Sequence, residues 1–148
     1  MGKAKIKSVK IKYQNHNFDS LTERDFYIYL QQNQEKLGIT KIEVHPGFLL
    51  IDSFTVDCLK CSGTGKKKSI KTGNDIKCST CKGTGKKKRE EMDYTADFMT
   101  YTEDGKVNVY DVKGWANDAF PLRKKIFESK YGIRLIEVYR KAGEWIYK

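Results

Sequence analysis

No apolar run in these 148 residues approaches the roughly 20 needed to span a bilayer; the longest covers residues 48–51. A membrane-spanning function is therefore not expected. The lysine-rich start has no apolar stretch of the kind a secretory signal carries. Ile6 stands where a myristoylation motif wants Ser or Thr. A cytoplasmic protein with no membrane partner is the expectation. Cysteine is absent outside one short segment, where Cys58, Cys61, Cys78 and Cys81 are gathered. A disulfide framework belongs to secreted chains, and nothing here points to secretion. Acidic charge is scarce in that same segment: residues 58–91 hold 11 Lys or Arg against 3 Asp or Glu. The segment thus carries +8 of the chain's formal +10. Such a cluster favours a polyanionic partner, most simply nucleic acid.

The cysteine segment is an internal repeat of 20 residues. Cys58-Leu-Lys-Cys61-Ser-Gly63-Thr-Gly65-Lys-Lys-Lys68 recurs as Cys78-Ser-Thr-Cys81-Lys-Gly83-Thr-Gly85-Lys-Lys-Lys88. Each C-x-x-C makes a knuckle in which two sulfurs hold one ion, and the glycines let the backbone fold close behind them. Four thiolates make a closed tetrahedral set, which suits structural Zn2+, with an iron–sulfur cluster the lesser alternative, and leaves no open position for catalysis. The repeat resembles the CxxCxGxG modules of the cysteine-rich region of J-domain co-chaperones. That region uses four repeats for two zinc sites, and the two repeats here suffice for one. The co-chaperones' His-Pro-Asp signature is missing, so the zinc knuckle carries over and the chaperone activity does not. The triplets Lys66, Lys67, Lys68 and Lys86, Lys87, Lys88 follow the knuckles in equivalent places and are candidate phosphate contacts. A small closed module of this sort reads as an insertion. The expected division is residues 1–56 with 92–148 as a core domain and 57–91 as an inserted zinc ribbon.

Before the insertion, Lys3, Lys5, Lys7, Lys10 and Lys12 alternate with Ile6, Val9, Ile11 and Tyr13, as a basic arm leading to a hairpin that turns near Asn15-His16. A helix is expected from Ser20 to about Leu37, closed by Gly38, with Phe26, Leu30, Asn33 and Leu37 on one side. Ser20-x-x-Glu23 has the spacing of a capping box, with Glu23 bonding back to the Ser20 amide. Residues 42–54 are apolar and β-prone around Pro46-Gly47, and read as one bent strand. His16 reads as a turn residue and His45 as a loop or strand-end residue.

After the insertion, residues 92–115 read as two strands joined at Thr102-Glu103-Asp104-Gly105. Val107, Val109, Asp111 and Lys113 share one strand face, because alternate side chains point the same way. The turn can carry Asp97, in the first strand, across to that pair. Two carboxylates beside an ammonium suit a divalent cation and a phosphate. The competing reading is a surface ion pair of Asp111 with Lys113. A second helix is expected from Asn117 or Asp118 to about Lys130, with Pro121 in its first turn and Gly132 at its end. Leu122, Ile126 and Phe127 suit its packing side, while Arg123, Lys124 and Lys125 offer charge. A strand over residues 133–140 and a last turn with Trp145 and Tyr147 complete the chain. Trp115 and Trp145 read as packing residues.

Without the insertion the order is helix, strand, strand, strand, helix, strand. On these pieces the chain resembles the PD-(D/E)XK nuclease superfamily, in particular its small phage-encoded members. The matching motifs are Phe18-Asp19-Ser20 with Glu23, Ala96-Asp97-Phe98, Asp111-Val112-Lys113-Gly114, and Arg123-Lys124-Lys125. Ala96 replaces the proline of the superfamily's name. The resemblance implies an α/β (α+β), restriction-endonuclease-like αβββαβ core, with a central mixed sheet flanked by helices. It implies a Mg-dependent endodeoxyribonuclease that hydrolyses phosphodiester bonds. Asp97 and Asp111, with Glu23, would hold Mg2+ or Mn2+, and Lys113 would orient the attacking water and offset developing charge. If the chain is phage-encoded, its setting would be the bacterial host cytoplasm. Branched DNA, as cut by resolvase-like relatives, suits so exposed a site, and a homodimer suits cuts in two strands. One rival is a non-catalytic nucleic-acid-binding zinc-ribbon protein on a degenerate nuclease scaffold. Another is an interaction protein that grips unfolded chains, though Leu59, Ile70 and Ile76 make a thin apolar surface for that.

Overall fold

A computed structural model describes residues 10–114 and 119–148. Lys3, Lys5, Lys7, Ile6 and Val9 of the expected arm lie outside the described residues. So do Trp115 and the expected helix start at Asn117 or Asp118. Strands β1 (Ile11–Tyr13) and β2 (His16–Phe18) form an antiparallel hairpin with Ile11 opposite Phe18. His16 is not in the turn: it opens β2, its ring 5.4 Å from that of Tyr27.

Helix α1 (Leu21–Gln32) begins at Ser20, whose extended backbone lets Oγ accept the Glu23 amide at 3.0 Å. The reciprocal bond differs from the capping box: the Glu23 carboxylate accepts the Asp19 amide at 2.8 Å, one residue further out than Ser20. An acid in the first turn also faces the positive end of the helix dipole. Phe26, Tyr27 and Leu30 form the buried stripe at helical spacing. The expected single helix to Leu37 is interrupted. Asn33 turns its side-chain amide and its backbone N–H onto the Tyr29 carbonyl, at 2.8 and 3.1 Å, and ends α1. A short α2 (Gln34–Leu37) follows, closed by Gly38 at φ 62°. Leu37, expected to pack, lies beyond this break and is exposed.

The single bent strand expected over residues 42–54 is three strands: β3 (Ile39–Val44), β4 (Gly47–Ile51) and β5 (Phe54–Asp57). His45 at φ 53° turns the chain, and Pro46 has no amide to donate. Next come β6 (Lys66–Lys68), β7 (Asp75–Lys77), β8 (Lys86–Arg89), β9 (Met92–Thr95), β10 (Phe98–Thr102) and β11 (Val107–Val112). The chain ends with α3 (Phe120–Tyr131), β12 (Leu135–Lys141) and β13 (Glu144–Tyr147). Asp97 is therefore not inside a strand but in the break between β9 and β10.

The chain divides into two compact units, Met1–Phe48 with Tyr94–Lys148, and Leu49–Asp93. The first is a mixed α+β unit around a five-stranded sheet in the order β13-β12-β11-β10-β3. Only β11 and β12 run parallel; the other neighbours are antiparallel. Helix α3 supplies the crossover that a parallel pair requires. Strand β13, expected as a turn, pairs with β12 through Ala142 and Gly143, both with positive φ, and Trp145 lies opposite Arg140.

One core lies under α1: Phe18, Phe26, Tyr27, Leu30, Ile39, Phe98 and Val138 are buried there. The Phe26 ring is 5.0 Å from Trp145, 5.4 Å from Tyr110 and 5.8 Å from Phe98, so one helix residue ties three strands. Full burial of such a ring contributes about 1.5–3 kcal/mol. Alternation puts Val109 and Leu135, register partners and both fully buried, on the other face. Phe127 of α3 is also fully buried, 4.8 Å from the ring of Phe48 and 6.0 Å from that of Tyr94. Phe120 and Phe127 stand two turns apart, which sets the packed stripe of α3. Leu122 falls off that stripe and is exposed, contrary to expectation.

The second unit holds two antiparallel ribbons, β5 with β8 and β6 with β7. No helix among the described residues is long and apolar enough to cross a membrane.

Candidate metal centres

In the second unit Cys58, Cys61, Cys78 and Cys81 are all buried, and their sulfurs lie within 4.8 Å of one another. The two knuckles repeat most of each other's hydrogen bonds. Cys58 N donates to Gly85 O and Cys78 N to Gly65 O, each at 2.8 Å. Gly65 N donates to the Cys61 sulfur and Gly85 N to the Cys81 sulfur, each at 3.2 Å. Thr64 and Thr84 hydroxyls donate to the Cys61 and Cys81 carbonyls at 2.7 and 2.8 Å. Glycine is required where the knuckles meet. A Cβ on Gly65 would stand 2.4 Å from the Gly83 carbonyl oxygen, and one on Gly85 would stand 2.2 Å from that of Gly63. Burial works to raise the Cys81 thiol, but the Gly85 amide and the sulfurs of Cys61 and Cys78 outweigh it and bring it down to about 6. An amide donor at a sulfur favours thiolate, the form that binds metal, but at Cys61 burial outweighs the Gly65 amide and raises the thiol. This cluster could hold a structural zinc, and its donor set is closed.

In the first unit the acids gather where β10 and β11 part. Phe98 opposite Tyr110 is the last pair of that ladder, and Asp97 N still donates to Tyr110 O at 3.0 Å. The next bond is made by a side chain: Asp97 Oδ2 accepts the Val112 amide at 2.6 Å. The carboxyl of Asp97 is thereby held at the mouth of the opening strands. Asp111, on the same strand face as Val109, is bonded on both oxygens. Lys113 Nζ is 2.7 Å from Oδ1, and the Tyr94 hydroxyl donates to Oδ2 at 2.5 Å. Lys113 is mostly buried, its Nζ 2.9 Å from the centre of the Phe120 ring. Glu23 is almost fully buried; its Oε1 is 2.5 Å from His45 Nε2. His45 N in turn donates to Asp97 O at 2.9 Å, and Ala96 N to Pro46 O at 3.0 Å. Residues 45–46 are thus laced to 96–97. One ligand atom each from Glu23, His45 and Asp97 lies within 4.8 Å of the others.

The electrostatics favour a cation here. Burial first, then the charges of Asp111 and Glu23, push the Asp97 carboxyl up to about 8, against the pull of the Val112 amide and Lys113. Burial and Asp111 likewise push the Tyr94 hydroxyl upward. A carboxyl held protonated near neutral pH by burial and by neighbouring carboxylates is relieved when a cation binds among them. The oxygen-rich donor set fits a hard divalent ion.

Of the residues singled out from sequence, Asp97, Asp111, Lys113 and Glu23 are brought to one region of the sheet unit. Asp111 is not within the close Glu23–His45–Asp97 group, but its charge acts on Asp97. The basic residues of α3 separate into different roles. Arg123 has a buried Nε with no hydrogen-bond partner, and its charge reaches Tyr94. Lys124 is committed to Glu137 at 2.8 Å, and Lys125 is exposed. Burial works against the Glu137 carboxylate, but Lys124 and the Tyr139 hydroxyl outweigh it and hold it below its usual range. On the ribbon, Lys68 pairs with Asp75, Lys86 with Asp57 and Lys88 with Glu90. Lys66, Lys67 and Lys87 make no ion pair with the described residues.

Two residues were not legible as site residues. His45 marks a strand end, which Pro46-Gly47 did signal, but its meeting with Glu23 depends on the pairing of 45–46 with 96–97. Tyr94 stands three residues before Asp97, and its reach to Asp111 depends on the chain break between β9 and β10. A cleft of about 450 Å3, lined in part by Lys106, Asn108, Arg134 and Lys148, shares no residue with this cluster.

A family described as a protein of unknown function, DUF1064, matches residues 3–148. No curated protein and no solved structure matches the chain.

Proposed function

The chain belongs to the DUF1064 family, and from the carboxylate cluster of its sheet unit we propose that it is a divalent-metal-dependent DNA endonuclease of the PD-(D/E)XK kind. The observation that carries this reading is the gathering of Asp97, Asp111 and Lys113 where β10 and β11 part, with Asp97 pushed up to about 8 by burial and its acidic neighbours. Support comes also from the run α1, β3, β10, β11, α3 and β12 of the sheet unit, to which α2 and the edge strand β13 are added.

Asp97 and Asp111, with Glu23, are the groups to hold Mg2+ or Mn2+. When bound, such an ion supplies Lewis acidity at the scissile phosphate and makes water more acidic. Lys113 is fixed by Asp111 and Phe120, so its ammonium is aimed rather than mobile. It orients the attacking water and offsets negative charge as the oxygen–phosphorus bond forms and the ester oxygen leaves. The buried Arg123 Nε lacks a partner, as expected of a donor kept for a phosphate oxygen. The zinc ribbon contributes affinity through its lysines, chiefly Lys66, Lys67 and Lys87. Contacts of that kind are strongly salt-dependent and carry little sequence information.

The test is cleavage of supercoiled, linear and four-way-junction DNA with Mg2+ or Mn2+, wild type beside Lys113→Ala. The expected result is cation-dependent cleavage that the variant lacks, with the ranking of the three DNAs revealing the preferred substrate. Salt-sensitive binding without cleavage of any of them would instead favour a non-catalytic nucleic-acid-binding protein built around the ribbon.

A further inference from the structure

We propose that His45 is an inner ligand of the cation held by Glu23 and Asp97, and that this nitrogen makes the site select Mn2+-class ions over Mg2+. The inference rests on the endonuclease reading only for what the ion is used for. The binding site itself stands on geometry.

Three donors of two kinds converge. Glu23 Oε1 and His45 Nε2 are 2.5 Å apart, and one ligand atom from each of Glu23, His45 and Asp97 lies within 4.8 Å of the others. Each is fixed by contacts of its own, and a cation held by both Glu23 and His45 would replace their mutual hydrogen bond. Glu23 is anchored through its other oxygen, which accepts the Asp19 amide at 2.8 Å. Asp97 is anchored through Oδ2, which accepts the Val112 amide at 2.6 Å. His45 is held by its own backbone, at φ 53° and bonded to Asp97 O, and by its ring against Phe18 at 6.1 Å. A left-handed backbone is unusual for a residue other than glycine. Here it turns the imidazole back toward the first turn of α1.

Two carboxylates alone would make a site for a hard ion, and Mg2+ strongly prefers oxygen and retained water. An imidazole changes the preference. Nitrogen suits Mn2+, Fe2+, Co2+ and Zn2+ progressively better than it suits Mg2+. The competing account is that His45 only orients Glu23 by a hydrogen bond. In that case the ion would touch oxygen alone.

The experiment is pulsed electron paramagnetic resonance of Mn2+ added to the zinc-loaded full chain, read for the magnetic coupling of a directly bound imidazole nitrogen. The chain has two histidines, so His16→Gln and His45→Gln assign the signal. Nitrogen coupling is expected in wild type and in His16→Gln, and its loss is expected in His45→Gln. Calorimetric titration should show Mn2+ bound more tightly than Mg2+. The His45→Gln change should weaken Mn2+ by at least about tenfold, the loss ordinary even for a ligand's supporting partner. Mg2+ affinity should change much less. Bound Mn2+ without nitrogen coupling, or no Mn2+ bound at all, overturns the inference, and the wild-type spectrum decides this even if a variant fails to fold. DNA cleavage with Mg2+ is scored separately. Cleavage without nitrogen coupling removes the His45 ligand and leaves the endonuclease. Nitrogen coupling without cleavage does the reverse.

Discussion

The four cysteines and the carboxylate cluster are both candidate metal centres, yet they are assembled by opposite routes. The cysteines come from two copies of one repeat, and the bonds that Gly65 and Gly85, Thr64 and Thr84, and Cys58 and Cys78 make are twinned between the knuckles. Local backbone geometry does nearly all the work, and no apolar core is needed around it. The acids come from the start of α1, the break between β9 and β10, and the end of β11, with His45 from the end of β3. Nothing local brings them together. They meet because α1 packs through Phe26 on the sheet and because β10 and β11 hold one register. The first centre has amides of its own loops on the Cys61 and Cys81 sulfurs and is closed. The second carries crowded negative charge and is open to a cation. A closed centre suits structure, and an open, charge-crowded one suits chemistry.

The largest expected effect separates the two routes. Removing zinc with a strong chelator should unfold the ribbon, since structural zinc in small modules supplies about 10–16 kcal/mol of folding free energy. Amide exchange should then be fast over residues 58–88 and remain slow in β10, β11 and β12. Collapse of exchange protection in those three strands as well would show that the sheet unit depends on the ribbon's metal.

Phe26→Ala makes the opposite cut. Loss of a buried aromatic should cost about 3–5 kcal/mol in the sheet unit. Thermal unfolding should fall accordingly and Mg2+ binding should weaken, while zinc content stays at wild-type level. Unchanged Mg2+ binding in that variant would mean that the cluster is held locally after all.

Repeats and spacing make the ribbon legible in the sequence itself. C-x-x-C twice, with glycines at fixed offsets, specifies its own geometry. A mixed set of helices and strands was legible too, as were Ser20 as a cap and Gly38 and Gly132 as helix ends. What was not legible depended on backbone choices that composition does not reveal. His45 at positive φ divides an apolar run into separate strands, and Asn33 cuts a helix by bonding its own preceding turn. The Ala142-Gly143 turn creates β13 where only a terminal turn was expected. The roles of Lys124 and His45 were hidden for a further reason. Each is set by a partner on another element, Glu137 and Glu23, and no spacing encodes that meeting.

A smaller effect is expected from pH. In the folded chain Asp97 titrates at about 8, against an ordinary 3.8. Between those values the folded protein keeps a proton that the unfolded chain has released. The stability Asp97 contributes is therefore fully present below the ordinary carboxylate range and is lost as pH rises toward 8. Melting temperatures of zinc-loaded protein without added Mg2+ should fall over that window, less so with Mg2+ and less so in Asp97→Asn. A flat wild-type profile would remove the crowding on which the cation site is argued.

The smallest effect concerns the ribbon's surface. Lys67→Ala with Lys87→Ala should weaken DNA binding evenly across sequences and lower the slope of log affinity against log salt by about 2. Zinc content and cleavage of bound DNA should not change. An unchanged slope would place the DNA contacts elsewhere.

The most direct measurement is single-turnover cleavage of supercoiled DNA by the zinc-loaded chain, with and without Mg2+, beside Asp97→Asn. Nicking that requires the cation and slows by at least about 100-fold in the variant is the expected result. Wild-type protein that binds DNA and leaves it intact under every cation tested, or a variant that cuts at the wild-type rate, would contradict the assignment of chemistry to the carboxylate cluster.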